Sequence, residues 1–255
     1  MKLRICSTIC ALGILTLVCA LTVGAQAGED SLKSGQSIQI RWFGQAAYEV
    51  TTSKGTTIII DPIQYKGYSM PKGITADIVT ISHEHIDHNC IDAVSNPSVV
   101  FHGTDEECQI SAKVDTTVEG VRLYSVASFH DSGRSRANTI FVFEFDGVRM
   151  AHLGDIGTTL TGDQIKAIGE VDILMIPVGG QFTVGAAGAD SIVNQLEVKR
   201  FVFPMHYRTE AFGSMPYTAE PFLEGKENVR RVEDNNITFD LSDLKGEREY
   251  LVLQY

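Results

Sequence analysis

The chain has 255 residues, with 32 acidic side chains against 21 basic ones and a formal net charge of −11. So acidic a protein is a poor partner for nucleic acids or anionic membranes, because phosphate contacts need clustered lysine and arginine. The length is sufficient for one large α/β domain.

The N-terminus has the pattern of a secretory signal peptide. Lys2 and Arg4 are basic, residues 9–23 are largely apolar, and residues 25–27 read Ala-Gln-Ala, a small-x-small cleavage site. We therefore expect residues 1–27 to be a cleaved signal peptide. Residues 28–255 would then form a single exported domain, periplasmic or extracellular, with no membrane contact after cleavage. The alternative is an uncleaved anchor, for which the apolar run is short.

The first half of the chain predicts short strands joined by turns. Residues 38–62 have the alternation and turns of a β-meander, with a buried strand at 57–60. An apolar strand follows at residues 76–82, and a helix is expected at about 88–94. The segment SVVFHG, residues 98–103, predicts another strand.

The second half has a similar pattern. Residues 121–130 predict a strand that ends in a histidine, and residues 138–155 predict two strands joined by an Asp-Gly turn. A helix opened by Thr161 and a strand at 173–177 follow, and a further helix and strand lead to His206. Helices that alternate with short buried strands indicate a layered α/β fold.

The segment TISHEHIDHNC, residues 80–90, concentrates imidazoles around a carboxylate: His83, His85, Asp87 and His88. In an extended segment His83 and His85 point to the same side. Asp87 and His88 leave that line where the helix is expected to start, so one segment can serve two neighbouring ions. The spacing differs from that of the helical H-E-x-x-H zinc motif.

Four candidate ligands share a position at or just beyond the end of an apolar strand, namely His83, His130, Asp155 and His206. Loops at one edge of a sheet are where α/β folds build their sites. Imidazole and carboxylate together suit zinc, iron or manganese. The sequence therefore predicts a metal centre at this edge.

The segment HEHIDH resembles the H-x-H-x-D-H signature of metallo-β-lactamase-fold hydrolases. The segments SFH, HLGD and PMH follow in register, and WFGQAAYEV and IIIDP resemble the usual opening. The resemblance is greatest to the ascorbate-6-phosphate-lactonase-like branch. It implies a four-layer αββα sandwich with two divalent metal ions, zinc foremost and manganese or iron as alternatives. It assigns His83, His85 and His130 to the first ion, Asp87, His88 and His206 to the second, and Asp155 to a bridging position.

The implied reaction is hydrolysis of an ester, lactone, phosphoester or related bond in a small molecule. The nucleophile would be a metal-bound hydroxide, and Asp87 would be catalytic by orienting it and accepting a proton. One alternative is an iron-dependent oxidoreductase on the same fold, similar to persulfide dioxygenases. Another is a non-catalytic metal-binding protein, although no ligand of the motif is missing.

Four residues are weaker candidates for substrate binding. Gly179, Gly180 and Thr183 belong to a glycine-rich loop that follows a strand at the presumed active edge, and its backbone N–H groups could bind substrate oxygens. A plain tight turn is the alternative. Arg208 follows His206 closely and is a candidate contact for an anionic substrate.

Other residues keep two interpretations each. His152 either supports a ligand or belongs to the core. Asp61 either hydrogen-bonds a ligand histidine or forms the turn before Pro62. Cys90 and Cys108 form a disulfide or remain two free thiols.

Overall fold

Two β-sheets make up most of the computed structural model, which describes residues 36–255. The predicted signal peptide, residues 1–27, lies outside the described residues. The first half of the chain supplies β1 (Ser37–Trp42), β2 (Tyr48–Thr51), β3 (Thr57–Ile60), β4 (Gln64–Tyr65), β5 (Tyr68–Ser69), β6 (Ile78–Ile81) and β7 (Val99–His102). The second half supplies β8 (Asp115–Val118), β9 (Val121–Phe129), β10 (Ala137–Phe145), β11 (Val148–His152), β12 (Ile173–Pro177), β13 (Phe201–Met205), β14 (Val229–Val232), β15 (Asn236–Asp240) and β16 (Glu249–Leu253).

The first sheet has six strands in the order β15-β1-β2-β3-β6-β7. Strands β1 to β3 form the predicted antiparallel meander, and β3, β6 and β7 run parallel. Ile38, Ile40 and Trp42 alternate along β1 and are buried, as the period of two requires. The parallel strands bring the C-terminal end of β6, where the histidine cluster begins, to one edge.

The second sheet has eight strands in the order β14-β16-β13-β12-β11-β10-β9-β8. The predicted Asp-Gly turn joins β10 to β11, and Asp146 and Gly147 have the positive φ angles of 53° and 78° that a tight hairpin needs. From β11 through β13 the strands are parallel. Their C-terminal ends therefore lie at a common edge of the sheet.

Within residues 36–255, three helices accompany the sheets: α1 (Gly162–Ile168), α2 (Ala186–Gln195) and α3 (Glu220–Leu223). Thr161 caps α1 in a reciprocal arrangement with Gln164, which confirms the predicted start. Helix α2 packs on β12, and α3 contacts α2. No helix within the described range is long and apolar enough to cross a membrane.

One large apolar core joins the two sheets and the helices, in agreement with the predicted αββα sandwich. A smaller cluster that includes Phe43, Ile59, Tyr68 and Val79 covers the other face of the six-stranded sheet. Its covering layer is mostly loop, with the short β4–β5 hairpin.

The predicted helix at residues 88–94 is wrong. Only a single 3-10 turn forms there, Ile91–Ala93. The backbone N–H of Cys90 donates to Pro62 O at 2.9 Å, outside any helical pattern, and Asn96 takes a positive φ of 50° before Pro97. These contacts hold the segment as a ligand loop and prevent the helix from extending.

Candidate metal centre

The predicted ligands meet at one edge of the sandwich. His83 lies two residues after β6, His130 directly follows β9, Asp155 lies three residues after β11, and His206 directly follows β13. All four side chains are buried. Their positions at strand ends are those that the sequence predicts, and both sheets contribute.

The seven residues form overlapping groups. The ligand atoms of His83, His85 and His130 lie within 4.8 Å of one another, and His83 Nε2 is 3.0 Å from His85 Nδ1. The same limit holds for the two groups that complete the cluster. These are Asp87 with His88 and His206, and His83 with His88 and Asp155.

Asp155 lies at the centre of the cluster. Its Oδ2 atom is 3.1 Å from His206 Nε2, and 3.3 Å from the Nε2 atoms of both His88 and His130. His83 Nε2 is 3.9 Å away. One carboxylate oxygen therefore lies between the two groups of three.

The electrostatics of Asp155 and His83 favour the binding of cations, whereas His88 must lose a proton to bind one, because burial is outweighed by Asp155 and Asp87, which raise its pKa well above the usual value. Burial alone would raise the pKa of Asp155, but His206 and His88 hold that pKa well below its usual range, so the carboxylate is ionised. Burial, together with His88, lowers the pKa of His83 well below its usual value. A neutral imidazole and an ionised carboxylate are the forms that bind metals.

Unpartnered buried atoms test whether the site fits metal ions. His88 Nε2 and Asp155 Oδ1 are buried and have no hydrogen bond of good geometry within the described residues. Such atoms are costly to leave unsatisfied in a folded protein. A set of nitrogen and oxygen donors of this kind matches what zinc and other divalent transition metals prefer.

Asp61 orients the cluster from behind. It is fully buried, and its Oδ2 atom accepts a hydrogen bond from His88 Nδ1 at 2.8 Å. The backbone N–H and the hydroxyl of Ser82 both donate to Asp61 at 2.6 Å. Of the two interpretations of Asp61, the hydrogen bond to a ligand histidine is therefore the correct one. Because this hydrogen bond uses Nδ1 of His88, the other ring nitrogen, Nε2, faces Asp155.

Gln45 connects two ligands that are distant in sequence. Its side-chain amide donates to Asp87 Oδ2 at 3.0 Å, and its backbone carbonyl accepts from His206 N at 3.1 Å. The carbonyl also accepts from Trp42 Nε1. Gln45 has a positive φ of 51°, which aims these groups in different directions.

Asn138 and Gly154 fix the position of Asp155. The Asn138 side chain accepts from Asp155 N at 2.9 Å and donates to Leu153 O at 2.9 Å. Gly154 has a φ of 53°, and an added Cβ would collide with Asn138 Oδ1 and with Ser82. Only glycine fits this turn between β11 and the carboxylate.

His152 supports the centre and lies outside the ligand groups. Its Nε2 atom is 2.9 Å from Ala46 O, and its Nδ1 atom accepts from Gly154 N at 3.2 Å. Burial lowers its pKa, which agrees with a neutral ring that uses both nitrogens in this way. His152 therefore ties the Asp155 turn to the loop after β1.

Glu84, within the histidine motif, faces away from the cluster. Its carboxylate accepts from Asn89 Nδ2 at 3.1 Å and lies 2.6 Å from His102 Nδ1. These contacts connect Glu84 to Asn89, at the C-terminal end of the ligand loop, and to His102, at the end of β7. Cys108 contacts the Glu84 N–H through sulfur, and both Cys90 and Cys108 are free thiols.

The glycine-rich loop also packs against the centre. Gly179 N donates to His206 O, and Gly180 N donates to Val184 O at 3.3 Å. An added Cβ on Gly179 would collide with His206 O. The N–H groups of both glycines are engaged inside the protein, so any binding of substrate oxygens by this loop would need its other N–H groups, and that binding stays a prediction. The two glycines instead allow close packing around His206.

The remaining two substrate candidates lie at the periphery. Thr183 borders a pocket that His130 also lines, and its hydroxyl donates to Val184 O. Arg208 is exposed, and its backbone N–H donates to Tyr217 O. Their contacts with substrate stay predictions.

A two-sheet α/β sandwich with a histidine and aspartate cluster at one edge defines a metallohydrolase of the metallo-β-lactamase type. Residues 39–206 match the family model described as "Beta-lactamase superfamily domain". The chain therefore belongs to this family, and it is a metal-dependent hydrolase.

Known relatives agree with this assignment. A UPF0173 metal-dependent hydrolase of Thermococcus onnurineus is 29% identical over 202 residues, which cover 68% of this chain and 85% of the relative. One from Cupriavidus taiwanensis is 28% identical over 258 residues, covering 82% and 88%.

Solved structures give the same result. A protein of Thermotoga maritima, described as a Zn-dependent hydrolase of the metallo-beta-lactamase superfamily, is similar with a TM-score of 0.68 and 32% identity. The match covers 85% of this chain and 98% of that one. A metallo hydrolase of Ignicoccus hospitalis, at 21% identity and a TM-score of 0.57, covers 80% of this chain and 99% of its own and shares the fold. The narrower resemblance to ascorbate-6-phosphate lactonases stays a prediction.

Proposed function

We propose that the chain is an exported dinuclear hydrolase that cleaves an ester, lactone, phosphoester or related bond of a small molecule. The observation that carries this proposal is the position of Asp155. Its Oδ2 atom lies within 3.3 Å of His130 in one group of three and of His88 and His206 in the other. A carboxylate shared between two groups of ligands is suited to hold two cations against their mutual repulsion.

We assign the first ion to His83, His85 and His130, and the second to Asp87, His88 and His206. Asp155 would be shared. Two such ions, which we take to be zinc from the nitrogen and oxygen donors, would lower the pKa of a coordinated water and polarise the substrate. The chain holds both ligand groups on loops that leave strand ends. Five of the seven side chains are buried, and those of His85 and Asp87 are half-buried.

Asp87 is the proposed catalytic residue. Its side chain is 18% exposed, so it is accessible to substrate while still fixed in place. The Gln45 amide donates to Oδ2, and Oδ1 receives no donor within the described residues. Oδ1 is therefore the atom that would accept a proton from the attacking water.

Metal analysis of Asp155→Ala tests the dinuclear proposal. We expect two ions per chain in the wild-type protein and about one in the variant, because the second group keeps only two histidines and a carboxylate. Hydrolysis should fall by several orders of magnitude. One ion in the wild-type protein, or full activity in the variant, would rule out the dinuclear mechanism.

The iron-dependent oxidoreductase alternative would use the same ligands. Oxygen consumption separates it from hydrolysis, since a hydrolase forms product without oxygen uptake. Export is tested by the intact mass of the protein recovered outside the cytoplasm. A mass equal to that of residues 28–255 supports cleavage after Ala27, whereas the mass of the full chain from Met1 contradicts it.

A further inference from the structure

A pocket of about 490 Å³ opens beside the metal centre, with His130 in its wall. The loop between β9 and β10 forms one side, and the loop after β12 forms another. We propose that this pocket binds the part of the substrate that carries a negative charge and an aromatic group. Arg136 would hold the charge, and Phe182 would contact the ring. The inference deepens the proposed hydrolytic function and rests on it.

The backbone places Arg136 next to a metal ligand. His130 N donates to Arg136 O at 2.9 Å, so the two residues pair across the loop, and the next pair is Phe129 with Ala137 in the sheet. Both residues line the same pocket. A substrate group held by Arg136 would therefore lie beside the ion that His130 binds.

The loop that carries Arg136 is ordered by Asp131. The Asp131 carboxylate accepts from the Ser135 hydroxyl at 2.9 Å, from Ser135 N and from Arg136 N at 3.0 Å. The Ser135 hydroxyl bond is the main cause that lowers the pKa of Asp131. The carboxylate is thus used within the loop, and the shape of the loop does not depend on the Arg136 side chain.

The charge of Arg136 is available to a ligand. Its guanidinium makes no ion pair with any residue of the described range. Asp131 also lines the pocket, but its carboxylate accepts hydrogen bonds from Ser135 and from Arg136 N, so Arg136 is the charged group of the pocket that is free to bind an anion. Arginine also binds carboxylates and phosphates through two parallel hydrogen bonds, which sets the orientation of the ligand.

Phe182 supplies the apolar side. Its side chain is 53% exposed, which is unusual for a large hydrophobic residue of this protein, and it lines the pocket with Arg136. The surrounding loop is held by Phe182 N donating to Gly180 O and Val184 N donating to Ile156 O, both at 2.8 Å. An exposed ring on an ordered loop gains free energy when a ligand ring covers it.

Calorimetry with phenylphosphonate, which cannot be hydrolysed at its P–C bond, tests the pocket on the metal-loaded protein. Arg136→Ala should weaken binding by about 10–100-fold, the value of a charged hydrogen bond. Arg136→Lys should retain part of the affinity. Arg134→Ala is the matched control, because Arg134 lies on the same loop with its guanidinium over the Phe129 ring, outside the pocket. It should bind like the wild type.

Methylphosphonate separates the contribution of the ring. Phe182→Ala should weaken phenylphosphonate binding by about tenfold and leave methylphosphonate binding unchanged. No binding of phenylphosphonate to the wild type, or equal affinity in Arg136→Ala, would overturn the proposal. Turnover of p-nitrophenyl acetate, an uncharged ester, tests the hydrolytic function separately, and the control variant Arg134→Ala should retain it within about twofold.

Discussion

Replacement of Asp61 by asparagine tests how the centre is oriented. Asp61 is fully buried and accepts from Ser82 N, Ser82 Oγ and His88 Nδ1. Asparagine has almost the same shape and can keep one oxygen toward Ser82 N. Its NH₂ group would then face Ser82 Oγ and His88 Nδ1 as a donor. The hydroxyl can rotate to accept, whereas the imidazole must change tautomer.

That change affects the metal-binding nitrogen. A proton moved from Nδ1 to Nε2 of His88 would occupy the atom that lies 3.3 Å from Asp155. Loss of a partner that orients a ligand typically lowers metal affinity by about 10–100-fold, which corresponds to about 1.4–2.8 kcal/mol. We expect the larger loss at the second site, because Asp61 contacts His88 directly and reaches the first group only through Ser82 Oγ, which lies 3.0 Å from His83 Nδ1.

Calorimetric titration of the metal-free variant would measure both sites. Asp77→Asn is the matched control. Asp77 accepts from Thr57 N and Thr57 Oγ1 at the opposite end of β6, so its loss should lower stability without changing metal affinity. If Asp61→Asn binds both ions as tightly as the wild type, the hydrogen bond to His88 does not orient the ligand. Equal weakening of metal affinity at both sites would show that Asp61 stabilises the surrounding structure and does not specifically orient His88.

Three further outcomes are expected. His85→Ala should lose about one ion per chain by elemental analysis, whereas His152→Ala should keep both and lose about 1–3 kcal/mol of stability, since it breaks two buried hydrogen bonds; equal metal loss in the two would contradict the ligand assignment. Gly179→Ala should lower stability by about 1–3 kcal/mol and weaken the site of His206, while Gly162→Ala, with open space at its Cβ, should do neither. Removal of metal by a chelator should lower Tm. Free metal at a thousandfold excess over Kd stabilises the folded state by about 4 kcal/mol per site, and the chelator removes this stabilisation. An unchanged Tm would contradict metal binding to the folded state.

Local patterns carried the prediction of the ligands. His83, His85, Asp87 and His88 lie in one short segment, and His130, Asp155 and His206 each follow an apolar strand. Both signals are short in range, and strand ends meet at one edge for general reasons of topology. The same reasoning predicted the meander, the Asp-Gly turn and the cap at Thr161.

The supporting residues could not be predicted in this way. Gln45 reaches Asp87 across 42 positions of sequence, and its role depends on a positive φ that glutamine rarely adopts. Asn138 lies within a regular strand, where its pattern is simply that of a buried residue. Arg136 is one of several exposed arginines, and only the pairing of its backbone with His130 distinguishes it.

The origin of the ligands in both sheets has a consequence for assembly. The four ligands within residues 83–88 follow β6 of the six-stranded sheet. His130, Asp155 and His206 follow strands of the eight-stranded sheet. Bound ions would therefore act as a cross-link that closes a long loop, in the manner of a disulfide. In the metal-free protein, backbone hydrogen exchange should be fastest at the edge that carries the ligands, while the shared apolar core protects the amides of the remaining strands. Neither sheet alone offers a complete set of ligands, so the metal content of a preparation would measure the fraction of chains whose two sheets have docked.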